Sequence, residues 1–310
     1  MVLVVIDGMR SDAFEQAASS GRAPALQFLR DHGSYLHEND HISHHRGPGT
    51  QVDNLVRASE HIGSVLDTFG DWDRTLREVG FVLTANHGQT PIGGDAEHVI
   101  DFDDVLADFR QVEPGKGRDP FEGRDLAVCG NGRAAFVCLA PDRRDELRGP
   151  VAAALLGSPG VDQVMWRDGP VYVVDSDRGR MEFEPAAGQH GVVDERGHRW
   201  HLRGNLRAVD AIVEHGAVRT PEYPLAFWRI RSALDLDRIG DLVARMRLGY
   251  DCADLSGESH RGGGDHASLH AQDSLVPFVS TLEDPPMHPA ATDVTPHVVR
   301  HFQRLAGMAA

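Results

Sequence analysis

The chain has 310 residues, room for one large or two modest domains at ~150 residues each. Lys and Arg number 31 against 47 Asp and Glu, a net charge of −16, which argues against nucleic acid or an anionic membrane as partner because both need clustered basic residues. Hydrophobic residues at 41% and charged residues at 25% are ordinary for a globular protein and argue against wholesale disorder. Nearly all the positive charge is Arg, Lys116 being the single lysine, a matter of composition more than chemistry. The 18 histidines and the abundant Asp are different, because those are the ligand types that borderline divalent metals take.

Val2 to Ile6 is a short apolar run ending in Asp7-Gly8, as expected of a strand covered on both faces. Ser11 or Asp12 can cap a helix after it, and Gly21 and Pro24 interrupt the stretch, which reads equally as one helix or as two pieces, the second closed by Gly33. Residues 34–50 are polar and rich in His and Gly, and read as a loop. Val52, Leu55, Val56, Ile62, Val65, Leu66 and Phe69 follow at helical spacing, and Phe81 to Ala85 is a second buried strand ending in Asn86-His87-Gly88.

Strand, helix, strand in that order predicts an α/β sheet, which binds ligands at the carboxyl ends of its strands, where Asp7 and Asn86-His87 fall. The middle of the chain reads differently, with short strands at Ala134 to Leu139, Val171 to Val174 and Met181 to Glu184, turns at Asp168-Gly169 and Arg196-Gly197, and a helix from about Arg143 to Leu156. Residues 235–247 are expected to be helical, 274–281 to form a return strand and Thr295 to Leu305 a last helix, with Asp293 as a candidate N-cap. The expected fold is α/β: a central, mostly parallel sheet flanked by helices from residues 1–98 and 236–310, with a smaller inserted α+β cap from 99–235.

Cys129, Cys138 and Cys252 form no C-x-x-C pair and read as reduced thiols buried as small hydrophobes. No apolar run reaches the ~18 residues of a membrane span. Met1 leads straight into an apolar strand, so the expectation is a protein without an export signal, in the cytoplasm.

Four segments concentrate Asp and His at loops or strand ends: Asp7-Gly8, Asp40-His41-Ile42-Ser43-His44-His45, Asn86-His87-Gly88 and Gly264-Asp265-His266. Taken singly each has a plainer reading. Asp7 suits a helix cap, the His41, His44, His45 group a solvated loop and His87 a strand-end turn, while His266 has His260 and His270 as neighbours of the same type. Asp with neutral His favours zinc or a similar ion over calcium or magnesium, and two such ions can clamp the oxygens of a phosphoryl displacement.

In their order, with Asp273-Ser274-Leu275-Val276-Pro277 and Thr292-Asp293-Val294-Thr295-Pro296 behind them, these segments resemble the alkaline-phosphatase superfamily, closest to its type I phosphodiesterase/nucleotide pyrophosphatase branch. The resemblance implies two metal sites at the strand ends, with zinc, or manganese as second choice. Asp40, His44 and His266 would hold one ion. Asp7, Asn86 and His87 would fall on the other, weakened because Asn86 stands where the family has Asp. It implies a small phosphate ester as substrate and a covalent enzyme intermediate formed by a Thr or Ser hydroxyl. Here the segment that carries that hydroxyl is missing, since only Ser34 to Asn39 separate Gly33 from Asp40. Ser43 and Thr50 are the nearest replacements. Two expectations follow: a metal-dependent phosphodiester or pyrophosphate hydrolase with an impaired site, or an inactive relative that keeps the fold and binds metal. Oligomeric state is not readable from the sequence.

Overall fold

The computed structural model describes residues 1–36, 51–113, 120–253, 259–287 and 289–307. They divide into two compact units, residues 1–90 with 272–310, and residues 91–271. The α/β class expected from the sequence is what the described residues form.

The first unit is built on a four-stranded sheet in the order Val2–Val5, Phe81–Thr84, Phe278–Ser280, Ser34–Leu36. Val2–Val5 and Phe81–Thr84 run parallel, joined by helices as a parallel pair requires. The strand Phe278–Ser280 is antiparallel to both of its neighbours, so a single pair carries the parallel character expected of the sheet. Phe81–Thr84 is buried on both faces. Phe81 and Leu83 join Phe14, Leu26, Leu29, Leu55, Ile62 and Leu66, which come from the helices Ser11–Ser19, Pro24–His32 and Gln51–Leu66. Val82 faces the other way, onto Phe278, Leu282 and Val294 and Val298 of the helix Ala291–Leu305. That helix begins before Thr295, and Asp293 lies inside its first turn, where its carboxylate accepts the Ala290 N–H at 2.8 Å; Asp293 therefore ties down the helix start from the N3 side rather than capping it from outside.

Registration within the parallel pair carries the sequence to its functional geometry. Val5 stands opposite Thr84, and the Ile6 N–H donates to the Thr84 carbonyl at 2.9 Å. The residues immediately after, Asp7-Gly8 and Asn86-His87, therefore leave the sheet side by side. Gly8 supports the turn with φ of 61°, a conformation that L side chains avoid.

The second unit contains a ten-stranded sheet, antiparallel except where Val193 pairs with Ala217. The helix Arg144–Gly157 packs Leu147, Val151 and Leu155 against one face, and the helix Ala226–Leu234 packs Phe227 and Ile230 against the other. Residues 235–247 are not helical as expected: Leu242–Met246 is a strand between Ala134–Leu139 and Val161–Asp168. Buried on both faces, it lacks the alternation that marks a half-exposed strand, and a short apolar run of this kind has no helix-or-strand signature of its own. Of the cysteines, Cys252 is buried as expected and Cys138 partly so, whereas Cys129 is exposed; all three are free thiols. No helix among the described residues is long and apolar enough to cross a membrane.

Candidate functional site

The strand-end residues of the first unit meet. Asn86 Nδ2 donates to Asp7 Oδ1 at 2.6 Å, and Asn86 Oδ1 accepts the Gly8 N–H at 3.1 Å. The amide is thereby oriented: exchanging its oxygen and nitrogen would set N–H against N–H at Gly8 and oxygen against oxygen at Asp7. His87 Nε2 lies 3.4 Å from the same Asp7 oxygen. Its Nδ1 faces the Gly88 carbonyl at 3.1 Å. Gly88 is needed for close approach. Its N–H donates to the Asp273 carbonyl at 2.7 Å, and a Cβ at position 88 would sit 2.2 Å from that carbonyl carbon. Asp273 in turn accepts the Thr90 hydroxyl at 2.8 Å, which makes it a support of the His87 loop.

The Asp7 and His87 pair fits a divalent ion. Ligands about 2.1 Å from one tetrahedral ion stand about 3.4 Å apart, the separation seen between Nε2 and Oδ1. Asp7 is 64% exposed, so a ligand arriving from solvent reaches it. Asn86 does not fit as expected. It turns its amide nitrogen, not its carbonyl oxygen, toward Asp7, so a hydrogen-bond donor stands where the family resemblance puts a second carboxylate.

Asp40, His44, Ser43 and Thr50 lie outside the described residues. His266 belongs to the second unit, directly after Gly264-Asp265; its N–H donates to Asp265 Oδ1 at 2.7 Å, and its carbonyl accepts the Arg133 N–H at 2.9 Å.

Beside His266 is a group that sequence reasoning passed over. Asp251, His260 and Asp265 direct ligand atoms to within 4.8 Å of one another. Asp251 is placed by the pairing of Asp251–Cys252 with Val99–Ile100. Its two oxygens accept the Cys252 and His260 N–H groups, each at 2.8 Å. His260 Nδ1 is 2.9 Å from Asp265 Oδ2 and 3.8 Å from Asp251 Oδ2. Burial pushes the Asp251 carboxyl up from the usual carboxylate range, and the charge of Asp265 pushes the same way, against the two N–H donors. Buried Arg133 ties the surrounding chain together, donating to the carbonyls of Tyr250 and Asp265 at 2.9 and 3.0 Å. His260 was visible in the sequence as a neighbour of His266, but nothing in the spacing marked Asp251 as its companion.

No family model matches the chain, and no curated protein does. Among solved structures it is similar to human ectonucleotide pyrophosphatase/phosphodiesterase 5, at 13% identity and a TM-score of 0.43 over 86% of this chain and 51% of that one. The murine protein of the same name is 14% identical with a TM-score of 0.38, over 75% of this chain and 40% of that one. Phosphonoacetate hydrolase from Sinorhizobium meliloti 1021, in complex with phosphonoacetate, is 18% identical with a TM-score of 0.39, over 85% and 48%. The chain thus spans about half, or less, of the length of each of these proteins.

Proposed function

We propose that the protein is a metal-dependent hydrolase of small phosphate esters, of the phosphodiester or pyrophosphate type, working with an impaired site. The observation that supports this reading best is the convergence of Asp7 and His87 at the ends of two parallel strands, with His87 Nε2 3.4 Å from the carboxylate. The order of the four Asp and His segments along the chain supports it further.

In this reading Asp40, His44 and His266 hold one ion, zinc or else manganese, and Asp7 and His87 face a weaker second position. A bound divalent ion supplies a Lewis acid for a phosphoryl oxygen and lowers the pKa of water. The chain's own residues do the rest. With a proton on Nδ1, facing the Gly88 carbonyl, His87 would offer Nε2 to the ion. Asp7 presents an open carboxylate, and the Asn86 amide offsets part of its charge. An acidic protein with a net charge of −16 accepts an anionic ester once cations occupy such positions. Ser43 and Thr50 are the hydroxyls nearest to the lost nucleophile segment. The three free thiols suit a reducing compartment, and we place the protein in the cytoplasm, without a nucleic-acid or membrane partner.

The second reading, an inactive relative that binds metal, is favoured by one observation: Asn86 already gives Asp7 a donor, so the position is satisfied without an ion. Hydrolysis of bis-p-nitrophenyl phosphate with added zinc or manganese decides between them. The hydrolase reading expects turnover that falls at least a hundredfold in His44→Ala, with Ser43→Ala and Thr50→Ala locating the hydroxyl. Absence of turnover with either ion, in protein whose zinc binding weakens in His44→Ala, selects the inactive relative. Protein that binds neither ion overturns both.

A further inference from the structure

We propose that Asp251, His260 and Asp265 form a second, separate binding site for a zinc-like divalent cation, which fastens the loop through His260 to the segments carrying the two carboxylates. The donor set is the first argument. Two carboxylates and one imidazole are what zinc and its neighbours take, and together they match the charge of one divalent ion. The His260 Nδ1 separations of 2.9 and 3.8 Å lie either side of the roughly 3.4 Å expected between ligands of one tetrahedral ion.

Burial is the second. The side chains of Asp251 and Asp265 are 0% and 3% exposed, unlike the surface acidic groups that gather without an ion. Two acids in so dry a place hydrogen-bond to each other through a shared proton, and a divalent cation can displace that proton on binding. His260, with 32% of its side chain exposed, marks the side from which an ion enters.

The third argument is how the ligands are held. Asp251 is oriented by the Cys252 and His260 N–H groups, and Asp265 by the N–H of His266. Backbone donors of this kind fix the orientation of a carboxylate. Gly132, at φ of 58°, clears the space; a Cβ there would come within 2.7 Å of Asp265 Oδ1. Gly130 does the same for the Asp251 segment, where a Cβ would sit 2.2 Å from the Ala253 carbonyl oxygen. Ligands, supporting donors and clearing glycines all lie within the second unit, and the inference does not depend on the hydrolase reading.

The test uses full-length protein carrying Asp7→Asn, Asp40→Asn and His44→Ala, which removes ligands of the proposed hydrolytic site and leaves this one whole. After chelator treatment and dialysis it should take up about one equivalent of zinc, and cobalt(II) should give a ligand-field absorption band. Adding Asp251→Asn or His260→Gln should weaken zinc binding at least tenfold and abolish the band, with circular dichroism unchanged. His260→Gln is the safer variant for folding because the side chain is partly exposed. Folded protein that takes up no zinc overturns the proposal. So does zinc affinity that neither added substitution changes.

Discussion

Two groups of carboxylates, one in each unit, solve the same electrostatic problem in opposite ways. Asp7 is open to water and is met by an uncharged donor, the Asn86 amide. Asp251 and Asp265 are shut away from water and face each other across a histidine. Solvent screens an exposed charge so well that a single amide suffices, whereas a buried pair must share a proton, find a fixed cation or bind one. Asp125 displays the fixed-cation answer. Its side chain is only 8% exposed, and it accepts from Arg110 Nε at 3.0 Å and Nη2 at 2.8 Å, from the Arg110 N–H, and from Arg143. The difference teaches that Asp125 carries the partners of a closed ion pair, whereas the two buried acids around His260 carry the donor set of a ligand site.

The largest expected effect breaks the fixed-cation case. Asp125→Ala removes the acceptor of the Arg110 N–H and of two guanidinium groups and should lower unfolding free energy by about 2.5 kcal/mol, less than for a fully buried pair because Arg110, 59% exposed, regains water. The hydrogen bonds from Arg110 hold the Asp125 carboxyl well below the usual carboxylate range, against the opposing effect of burial. A depressed folded-state pKa contributes stability that is present above the unfolded value of about 3.9 and is lost as pH falls toward the folded one. Urea melts of the two proteins should therefore differ fully at pH 7 and converge below about pH 4. A gap that widens in acid would show that Asp125 is not held by its arginines. Next in size, Asp251→Ala in metal-free protein leaves the Cys252 and His260 N–H groups without their acceptor and should lose about 2 kcal/mol. Asp265→Asn removes the repulsion while keeping an acceptor, and should change metal-free stability by less than about 0.5 kcal/mol. If Asp265→Asn is as harmful as Asp251→Ala, the pair is held by its own hydrogen bonds and does not await an ion.

These sites were unequally legible in the sequence. Asp7 and His87 could be brought together from the chain alone, because two apolar runs each ended in a polar residue and a glycine, and a parallel pair aligns its strand ends. Which way Asn86 would turn its amide could not be read, since the Gly8 N–H decides it and that donor has no sequence signature. Asp251 was invisible for a different reason. It reaches His260 and Asp265 through a short parallel pairing with Val99–Ile100, a long-range contact that no periodicity announces. Leu242–Met246 was misread for want of alternation. The helix Trp72–Glu78 was passed over although Asp71 caps it, its carboxylate accepting the Arg74 N–H at 2.7 Å, because seven residues are too few to show a helical stripe.

A substitution with a small effect on stability is the most informative about function. Asn86→Asp restores the residue that the family resemblance calls for and replaces a donor facing Asp7 with a second carboxylate. In metal-free protein, solvent screening at a carboxylate 64% exposed should hold the loss to about 1 kcal/mol, and the Gly8 N–H keeps its acceptor. Added zinc should then do more than reverse the loss. One more anionic ligand beside Asp7 and His87 should raise zinc affinity at the first unit at least tenfold, and thermal melts with and without zinc read both changes on one sample. If turnover of bis-p-nitrophenyl phosphate rises in the same variant, the amide at position 86 is what impairs the site. If zinc affinity rises and turnover does not, the missing hydroxyl segment is the limiting loss. If, with Asp251→Asn added to silence the second unit, the melting temperature ignores zinc altogether, Asp7 and His87 do not hold an ion and their approach serves only to close the turn between the two strands.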